Sequence, residues 1–437
     1  MADIMDRWGV PVLASSAEAV AALDTAVADL VALAGDPVGG ADKAIAADGS
    51  LLLARVYAAY LSLYATTTDG VAAARSQLSG LEEPAAERET CHLRAARAWA
   101  DGDWDLAVRW LEQALLANPR DLLAVKVAQD LNFFLGNRLE LRDSVARVLP
   151  AWPADDQDWG FVQGMYAFGL EENADYRQAQ TLASAALDRN PRDVWSVHAL
   201  AHVYEMEGRH REGVSFLAGS APDWSGSYFA VHNWWHKGLY HLELGELDTA
   251  LALYDDPIRA RRSTEWLDVV DAAALLWRLN LFGTDVTGRA RQLAGDIDAL
   301  VTEPVYLFND WHAVMTFALA GDQARAERVL AANRHPAGKT NARAAERAGL
   351  NLLRAFIAFT AGRPAETVDL LRDIRQHANV VGGSHAQRDV IDLTLIAAAA
   401  RSGDRRLAAA LINERAARKP ASAPSTRQLA AIGSAIH

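Results

Sequence analysis

Small residues recur along this 437-residue chain at a nearly fixed step of 32 to 41 residues. Each of them lies between two apolar segments that have helical periodicity. In chain order they are Gly35, Gly70, Gly102, Gly136, Ala174, Gly208, Gly245, Gly283, Gly321, Gly362 and Gly403. A step of this size is that of one helical hairpin, so the chain is expected to fold as a stack of hairpins.

Two segments show the repeat most clearly. Each has a small residue at the turn, alanines five and twelve residues later, and a proline five residues after the second alanine. The positions are Gly102, Ala107, Ala114 and Pro119 in the first segment and Ala174, Ala179, Ala186 and Pro191 in the second. Alanine lets two helices cross closely and proline ends a helix. This pattern predicts an all-α, tetratricopeptide-like α-solenoid, a superhelix of about eleven helical hairpins.

The repeat also predicts the domain organisation. Residues 1–416 are expected to form a single array, in which the degenerate repeats in 1–85 cap one end. From residue 417 to 437 the composition shifts to Arg, Lys, Pro, Ser and Ala, which predicts an irregular tail with a short helix from Leu429 to Ile436. No segment shows a strand-like alternation of useful length.

Composition narrows the class of protein. Hydrophobic residues make up 51% of the chain, which is too many for a disordered protein. The 43 basic and 56 acidic residues give a net charge of −13, which disfavours nucleic acids and membranes as partners. Cys91 is the only cysteine, so neither an intrachain disulfide nor a thiolate metal cluster can form. The acidic first residues lack the pattern of a signal peptide, and no apolar run suits a membrane span, so we expect a cytoplasmic protein, either monomeric or a homo-oligomer.

In repeats of this kind, the first helix of each hairpin lines the concave side of the array. Counting back from each turn residue along one helical stripe selects mostly aromatic and imidazole side chains and few lysines. Such a wall differs from a basic clamp that holds a peptide carboxylate and is more typical of a small-molecule pocket, so the expected partner is a small-molecule or peptide ligand in the concave groove. The candidate ligand-binding residues are Asp130, Trp195, Glu205, Trp235, Asp310, Trp311 and His312.

Two pairs of histidines stand four residues apart, His198 with His202 and His232 with His236. On a helix this spacing puts both imidazoles on one face, where they can bind one metal ion. The pairs lie on the first helices of successive hairpins, so all four residues are candidate ligands of a divalent transition metal. The alternative is that they are core histidines whose polar atoms are satisfied by neighbours and water.

A second polar set comes from the C-terminal repeats: Asp310, His312, His385, Arg388 and Asp389. A histidine beside a carboxylate can act as a general base, and an arginine can hold an oxyanion. Taken with the histidine pairs, this gives six candidate catalytic residues: His198, His202, His232, His385, Arg388 and Asp389. The alternative is structural, with Ser384 or Asp389 capping the last inner helix and Arg388 pairing with an acid.

Several of these residues lie in recognisable strings. They are HALAHVYEMEGR at 198–209, HNWWH at 232–236 and GGSHAQRD at 382–389. From about Asp121 to Pro420 the chain resembles the tetratricopeptide repeat protein 38 family. The last string is specific, because ordinary repeats do not carry it. The resemblance implies an α-helical solenoid and no agreed biochemical activity.

Three functions therefore stay open. The first is a binding protein that holds a small or extended organic ligand in an aromatic and histidine-lined cavity. The second is an enzyme of hydrolytic type that uses the inward-facing histidines, with a divalent metal or by His and Asp acid–base chemistry. The third is a scaffold for protein–protein interaction.

Overall fold

The turns between helices are made by residues in the left-handed backbone conformation, and these are the residues of the repeat ladder. Ten of the eleven ladder positions have a positive φ, from 64° at Ala174 to 95° at Gly283. Glycine adopts this conformation without steric cost, which explains why it recurs. The exception is Gly70, which lies inside a helix, where a Cβ would collide with the carbonyl oxygen of Ser62. Thr66, with a φ of 51°, makes that turn instead.

A computed structural model describes residues 3–434 of the chain, and they form two compact units. Unit 1 comprises residues 3–199, 223–229 and 338–340, and unit 2 comprises 200–222, 230–337 and 341–434. The expectation of a single array over 1–416, with capping repeats in 1–85, stays a prediction.

Unit 1 begins with two short antiparallel strands, which the sequence did not predict, and continues in helices. Its elements are β1 (Asp3–Met5), β2 (Pro11–Leu13), α1 (Ala17–Ala32), α2 (Pro37–Ala47), α3 (Leu52–Tyr64), α4 (Thr68–Leu78), α5 (Glu87–Ala100), α6 (Trp104–Ala117), α7 (Leu122–Phe134), α8 (Arg138–Val148), α9 (Trp159–Glu172) and α10 (Tyr176–Arg189). A short 3-10 turn, Leu149–Ala151, follows α8. Two helices cross the boundary between the units: α11 (Val194–Met206) and α12 (His210–Trp224).

A buried ionic cluster ties the N-terminal strands to the helices of unit 1. Arg88 on α5 pairs with Asp6, just after β1, at 2.9 Å and with Asp121, the N-cap of α7, at 2.7 Å. The backbone amide of Leu13 on β2 donates to Glu89 Oε1 at 2.8 Å. The same helix carries Cys91, which is only 2% exposed and whose thiol pKa is raised by burial.

Unit 2 contains the remaining helices. They are α13 (Ala230–Leu244), α14 (Leu247–Leu253), α15 (Trp266–Leu281), α16 (Thr287–Asp296), α17 (Leu307–Leu319), α18 (Gln323–Ala332), α19 (Lys339–Ala344, which begins in unit 1), α20 (Leu350–Thr360), α21 (Pro364–Ile374), α22 (His385–Arg401), α23 (Arg405–Arg418) and α24 (Ala423–Ser434). A π-helical turn, Tyr254–Ile258, extends α14, another, Ala345–Gly349, joins α19 to α20, and a 3-10 turn, Ala378–Val381, precedes α22.

Consecutive helices pair as hairpins, which confirms the all-α, tetratricopeptide-like fold class. Counting α19 and α20 as one helix, α1 to α23 give eleven hairpins within the described chain, as the ladder predicted. The two helices of a hairpin differ in burial. All residues of α17 are buried, whereas α18 buries only Ala326, Val329 and Leu330. Polar side chains on the first helices are therefore held inside the protein, where each needs a partner.

The segment from residue 417 onward departs from the predicted irregular tail, and the helix predicted from Leu429 begins earlier, at Ala423; its predicted end, Ile436, lies outside the described residues. Helix α23 continues to Arg418, Lys419 is 4% exposed, and α24 follows. The prediction was wrong because it took proline as a sign of irregular structure. Pro424 lies in the first turn of α24, where a missing backbone N–H costs nothing. Among residues 3–434, no helix has both the length and the apolarity that crossing a membrane requires.

Candidate metal centre

Three histidines of unit 2 converge in the interior and are called here the histidine centre: His202 on α11, and His232 and His236 on α13. One ring nitrogen from each lies within 4.8 Å of one from each of the others. Nε2 of His232 and Nε2 of His236 are 3.2 Å apart. His202 and His236 are fully buried and His232 is 4% exposed. The i, i+4 spacing on α13 therefore does place two imidazoles on one face.

Carboxylates hold the outer nitrogens of both α13 histidines. Nδ1 of His232 lies 2.8 Å from Asp271 Oδ2, and Nδ1 of His236 lies 3.0 Å from Glu205 Oε2. A carboxylate at Nδ1 favours the tautomer that carries its proton there, which leaves the lone pair on Nε2. Burial, and then the neighbouring His202 and His232, lower the pKa of His236 well below its usual value, so its imidazole is neutral at pH 7.

The two facing Nε2 atoms then have the geometry of a ligand pair. Metal–nitrogen bonds of about 2.0 Å in a tetrahedral site separate two ligand nitrogens by about 3.3 Å. The observed separation is 3.2 Å. Two neutral imidazoles with both lone pairs turned inward repel each other, unless a cation or an extra proton lies between them.

A charged network supports the centre from behind, and we define it as Glu205, Glu243, Asp389, Arg415 and Lys419. Lys419 Nζ lies 2.6 Å from Glu205 Oε1, 3.4 Å from Glu243 and 3.5 Å from Asp389. Arg415 pairs with Asp389 at 2.7 Å and also with Glu243. Burial alone would raise the pKa of Glu243, but the charges of Arg415 and Lys419 lower it to about 2. Against the same effect of burial, Lys419 also lowers the pKa of Glu205, and Arg415 and Lys419 lower that of Asp389, so the network holds three ionised carboxylates and two cations.

Residues 382–389 form the loop before α22 and its first turn, and they have different structural roles. Ser384 accepts a hydrogen bond from the Gln387 amide at 3.1 Å, and Gln387 Oε1 accepts one from the Ser384 amide at 2.9 Å. This is the capping arrangement that the structural alternative proposed for Ser384. Arg388 donates to the carbonyl oxygens of Gly382 and Gly383, so it braces this loop. His385 is half-buried, and its ring centroid is 5.7 Å from that of His202.

Successive residues of α17 reach different surroundings, because neighbours on a helix point about 100° apart. Asp310 faces Asn333, which follows α18. Trp311 packs edge-on against Phe356, with ring centroids 5.3 Å apart. His312 Nδ1 is 2.7 Å from the Phe308 carbonyl oxygen, and burial lowers the pKa of this imidazole to about 3. The expected set of Asp310, His312 and the 382–389 string thus does not form one constellation.

Trp235 and Arg278 complete the surroundings of the histidine centre. The indole of Trp235 stacks on His232 at 5.1 Å, with the ring planes 20° apart. Arg278 on α15 is buried and donates to the carbonyl oxygens of Ala386 and Gln387 at 2.8 and 3.1 Å. Its guanidinium therefore fixes the first turn of α22.

The remaining candidates lie in unit 1. The ring of His198 packs against Phe168 at 4.7 Å and Phe229 at 4.9 Å. Trp195 donates its indole N–H to the Val31 carbonyl oxygen at 2.7 Å. These contacts place both residues in an aromatic cluster of unit 1.

Asp130 belongs to a buried ionic group nearby in the same unit. It pairs with Lys126 one turn earlier on α7 and accepts a hydrogen bond from Tyr64 at 2.6 Å. Lys126 Nζ also lies 4.7 Å from the ring centroid of Trp195. Asp130 and Trp195 are thus brought together through Lys126, as cation and aromatic partners.

Sequence reasoning missed Asp271, Arg278, Glu243, Arg415 and Lys419. Counting back from Gly283 selects Trp277, so it passes one residue beside Arg278. A different signal was available, because Asp271 and Arg278 are isolated charges in a helix whose other residues are mostly apolar and buried. A charge in such a run needs a partner from another helix.

No family model matches the chain. Solved structures similar to it include a tetratricopeptide repeat protein from Parabacteroides merdae, with 12% identity, 71% of this chain and 99% of that chain covered, and a TM-score of 0.33. A Rap protein complexed with competence and sporulation factor has 12% identity, coverage of 88% and 98%, and a TM-score of 0.39. The human IFIT1 dimer with m7Gppp-AAAA has 11% identity, coverage of 97% and 91%, and a TM-score of 0.40.

At these identities and TM-scores, none of the three says what this chain binds. The tetratricopeptide-like fold rests on the helical hairpins themselves. The likeness to the tetratricopeptide repeat protein 38 family stays a resemblance carried by the three strings.

Proposed function

We propose that this protein binds a divalent transition-metal ion through His202, His232 and His236 and uses it in a hydrolytic reaction. One observation carries the proposal: two imidazoles, each held by a carboxylate at Nδ1, turn their Nε2 atoms toward each other at 3.2 Å. Histidine ligands of metals are typically held by carboxylates in this way. The third imidazole, His202, lies beside them with its ring centroid 4.5 Å from that of His236.

An ion held by imidazoles serves catalysis when one position beside its protein ligands is open to water or substrate. An ion bound there would polarise a carbonyl or phosphoryl oxygen and lower the pKa of a bound water. Asp271 and Glu205 orient the imidazoles, and Lys419 holds Glu205 in place at 2.6 Å.

His385 is the residue best placed to move a proton during such a reaction. It is the least buried histidine near the centre, and one of its ring nitrogens lies within 4.8 Å of one from His202. A side chain that borders both the centre and solvent can exchange protons with water. Trp235 supplies an apolar surface beside His232.

Metal binding is tested on the chelator-stripped full chain by calorimetric titration with Zn²⁺ and by the visible spectrum of the Co²⁺ form. We expect one ion per chain and a four-coordinate Co²⁺ spectrum. His236→Gln should weaken binding by more than about 100-fold, which exceeds the loss of an outer carboxylate. The matched control is His241→Gln, because His241 lies on the same helix and is held by Glu246 at 2.7 Å. Absence of a bound ion, or equal affinity in His236→Gln, would contradict the proposal.

The hydrolytic part has its own test. Chromogenic ester, amide and phosphoester substrates are offered to the Zn²⁺-loaded protein, to His236→Gln and to His385→Ala. We expect turnover of at least one class by the loaded protein only, with a lower rate and an altered pH profile in His385→Ala. An ion that binds tightly without any turnover above that of His236→Gln would leave a metal-binding protein and reject the hydrolase.

The other two functions expected from the sequence, a binding protein for an organic ligand and a scaffold for proteins, stay predictions. The organic-ligand hypothesis is supported by a cavity in unit 2 whose lining shares no residue with the histidine centre.

A further inference from the structure

Unit 2 contains a cavity of about 270 Å³ that shares no residue with the histidine centre or the charged network. It is lined by the loop that precedes α17, by α17 itself and by α18. Its lining combines two acids, an amide, a hydroxyl, two arginines and several apolar side chains. The volume lies near the lower end of small-molecule sites, which suits a compact ligand rather than an extended one.

The floor of the cavity carries two hydrogen-bond acceptors with no donor. Asp310 is 9% exposed and Asn333 is fully buried; Asn333 lies beside the Asp310 carboxyl group, and its Nδ2 donates to the Val329 carbonyl oxygen at 3.0 Å. Asp310 Oδ2 and Asn333 Oδ1 are both buried, and neither has a hydrogen-bond partner among the described residues. Unsatisfied buried acceptors are costly, so a group with several donors, such as an ammonium, would gain at this point.

The rim supplies the opposite charge. Arg325 is already engaged, since it lies 3.4 Å from Asp298 and 3.2 Å from Asp322. Arg328 is exposed and forms no ion pair within the described chain. Its guanidinium is therefore available to a carboxylate.

Between floor and rim the wall is apolar. Phe317 on α17, Val329 on α18, and Val301 and Pro304 from the preceding loop line it. An aliphatic or aromatic group of a ligand would be buried against these side chains.

We propose that this cavity binds a free hydrophobic α-amino acid, with its ammonium group on Asp310 and Asn333 and its carboxylate on Arg328. A zwitterion of this kind satisfies both acceptors on the floor, neutralises the free guanidinium and places its side chain on the apolar wall. An amine alone would satisfy only the acceptors of Asp310 and Asn333, and a carboxylic acid alone would pair only with Arg328.

The test uses calorimetric titration of the full chain with three probes of the same carbon skeleton. L-leucine carries both charged groups, isopentylamine lacks the carboxylate and isocaproate lacks the ammonium. We expect leucine to bind at least about tenfold more tightly than either analogue, since removing one charged hydrogen bond weakens binding by about that factor. No binding of leucine, or equal binding of leucine and isopentylamine, would overturn the proposal.

Variants locate the site. Asp310→Asn keeps the shape but removes the charge, and Arg328→Gln removes the rim cation; each should weaken leucine binding about tenfold or more. Arg354→Gln is the matched control, because Arg354 is an exposed arginine of unit 2 that does not line the cavity. Leucine affinity unchanged in Arg328→Gln would place the amino acid elsewhere and overturn the assignment, even if Asp310→Asn failed to fold. His236→Gln should bind leucine as the wild type does, so this result is independent of the metal proposal.

Discussion

Replacing Lys419 by methionine should destabilise unit 2 strongly, although Lys419 follows the last residue of α23 in what the sequence presented as a tail. The ammonium is 4% exposed and lies within 3.5 Å of three carboxylates, on Glu205, Glu243 and Asp389. Methionine fills a similar volume without the charge. The variant therefore isolates the electrostatic part of the interaction.

The size of the destabilisation follows from the buried carboxylates that remain after Lys419 is replaced. Without Lys419, Glu243 and Asp389 share Arg415, and Glu205 loses its single cationic partner in the network. Removing one partner from a buried ion pair costs about 3–5 kcal/mol, because the other charge stays desolvated. We expect a loss in this range in the free energy of unfolding of unit 2.

The assay is urea denaturation at pH 7 followed by circular dichroism, with the transitions of the two units fitted separately. Arg418→Met is the matched control. Arg418 precedes Lys419 and pairs with Asp392 at 2.7 Å, but it is 56% exposed, so its loss should cost less than about 1 kcal/mol. If the two variants were equally mild, the network would be hydrated or uncoupled, and the proposed support of the histidine centre by Lys419 would be wrong.

Two further predictions follow from single carboxylates. Asp271→Asn should weaken Zn²⁺ binding about 10- to 100-fold while the protein stays folded, since Asp271 holds His232 Nδ1 at 2.8 Å. Competition with a chelator measures the Zn²⁺ affinity. Asp268→Asn, on the same helix, is the control. In unit 1, burial raises the pKa of Asp193 from 3.8 to about 7. The folded state then binds this proton more tightly, so stability falls as pH rises from about 4 to 7, and Asp193→Asn should flatten that dependence in urea titrations. An unchanged slope in Asp193→Asn would contradict this, and Asp188→Asn, at a more exposed position, serves as control.

The hairpin array was predictable because its signal is local. A helix that ends in the left-handed conformation favours glycine at that residue, so the ladder in the sequence is also a series of turns. The exception shows the limit of the signal, since Gly70 is small because Ser62 crowds it, and Thr66 makes the turn. The prediction of an irregular tail was wrong for a similar reason, because proline disrupts the interior of a helix but is well tolerated in its first turn.

In the candidate site, only the arrangement of residues along a single helix was predictable from the sequence. The spacing of His232 and His236 fixes a shared face, and Glu205 lies one turn after His202 on α11. Which carboxylate meets which imidazole depends on how the helices rotate against one another. That rotation brings Asp271 from α15 to His232 and turns Asp310 away toward Asn333. The spacing of residues along the sequence indicates neither of these two contacts.

The single cysteine gives this chain a built-in reporter for one of its two units. Cys91 lies on α5, between residues that hold the N-terminal strands and the ionic cluster around Arg88, and only 2% of it is exposed. A thiol reagent can reach it only when this part of unit 1 opens, so the labelling rate under native conditions measures the free energy of that opening. Because unit 2 contains no cysteine at all, ions or amino acids that bind there can be scored for long-range effects by watching a single sulfur atom in unit 1.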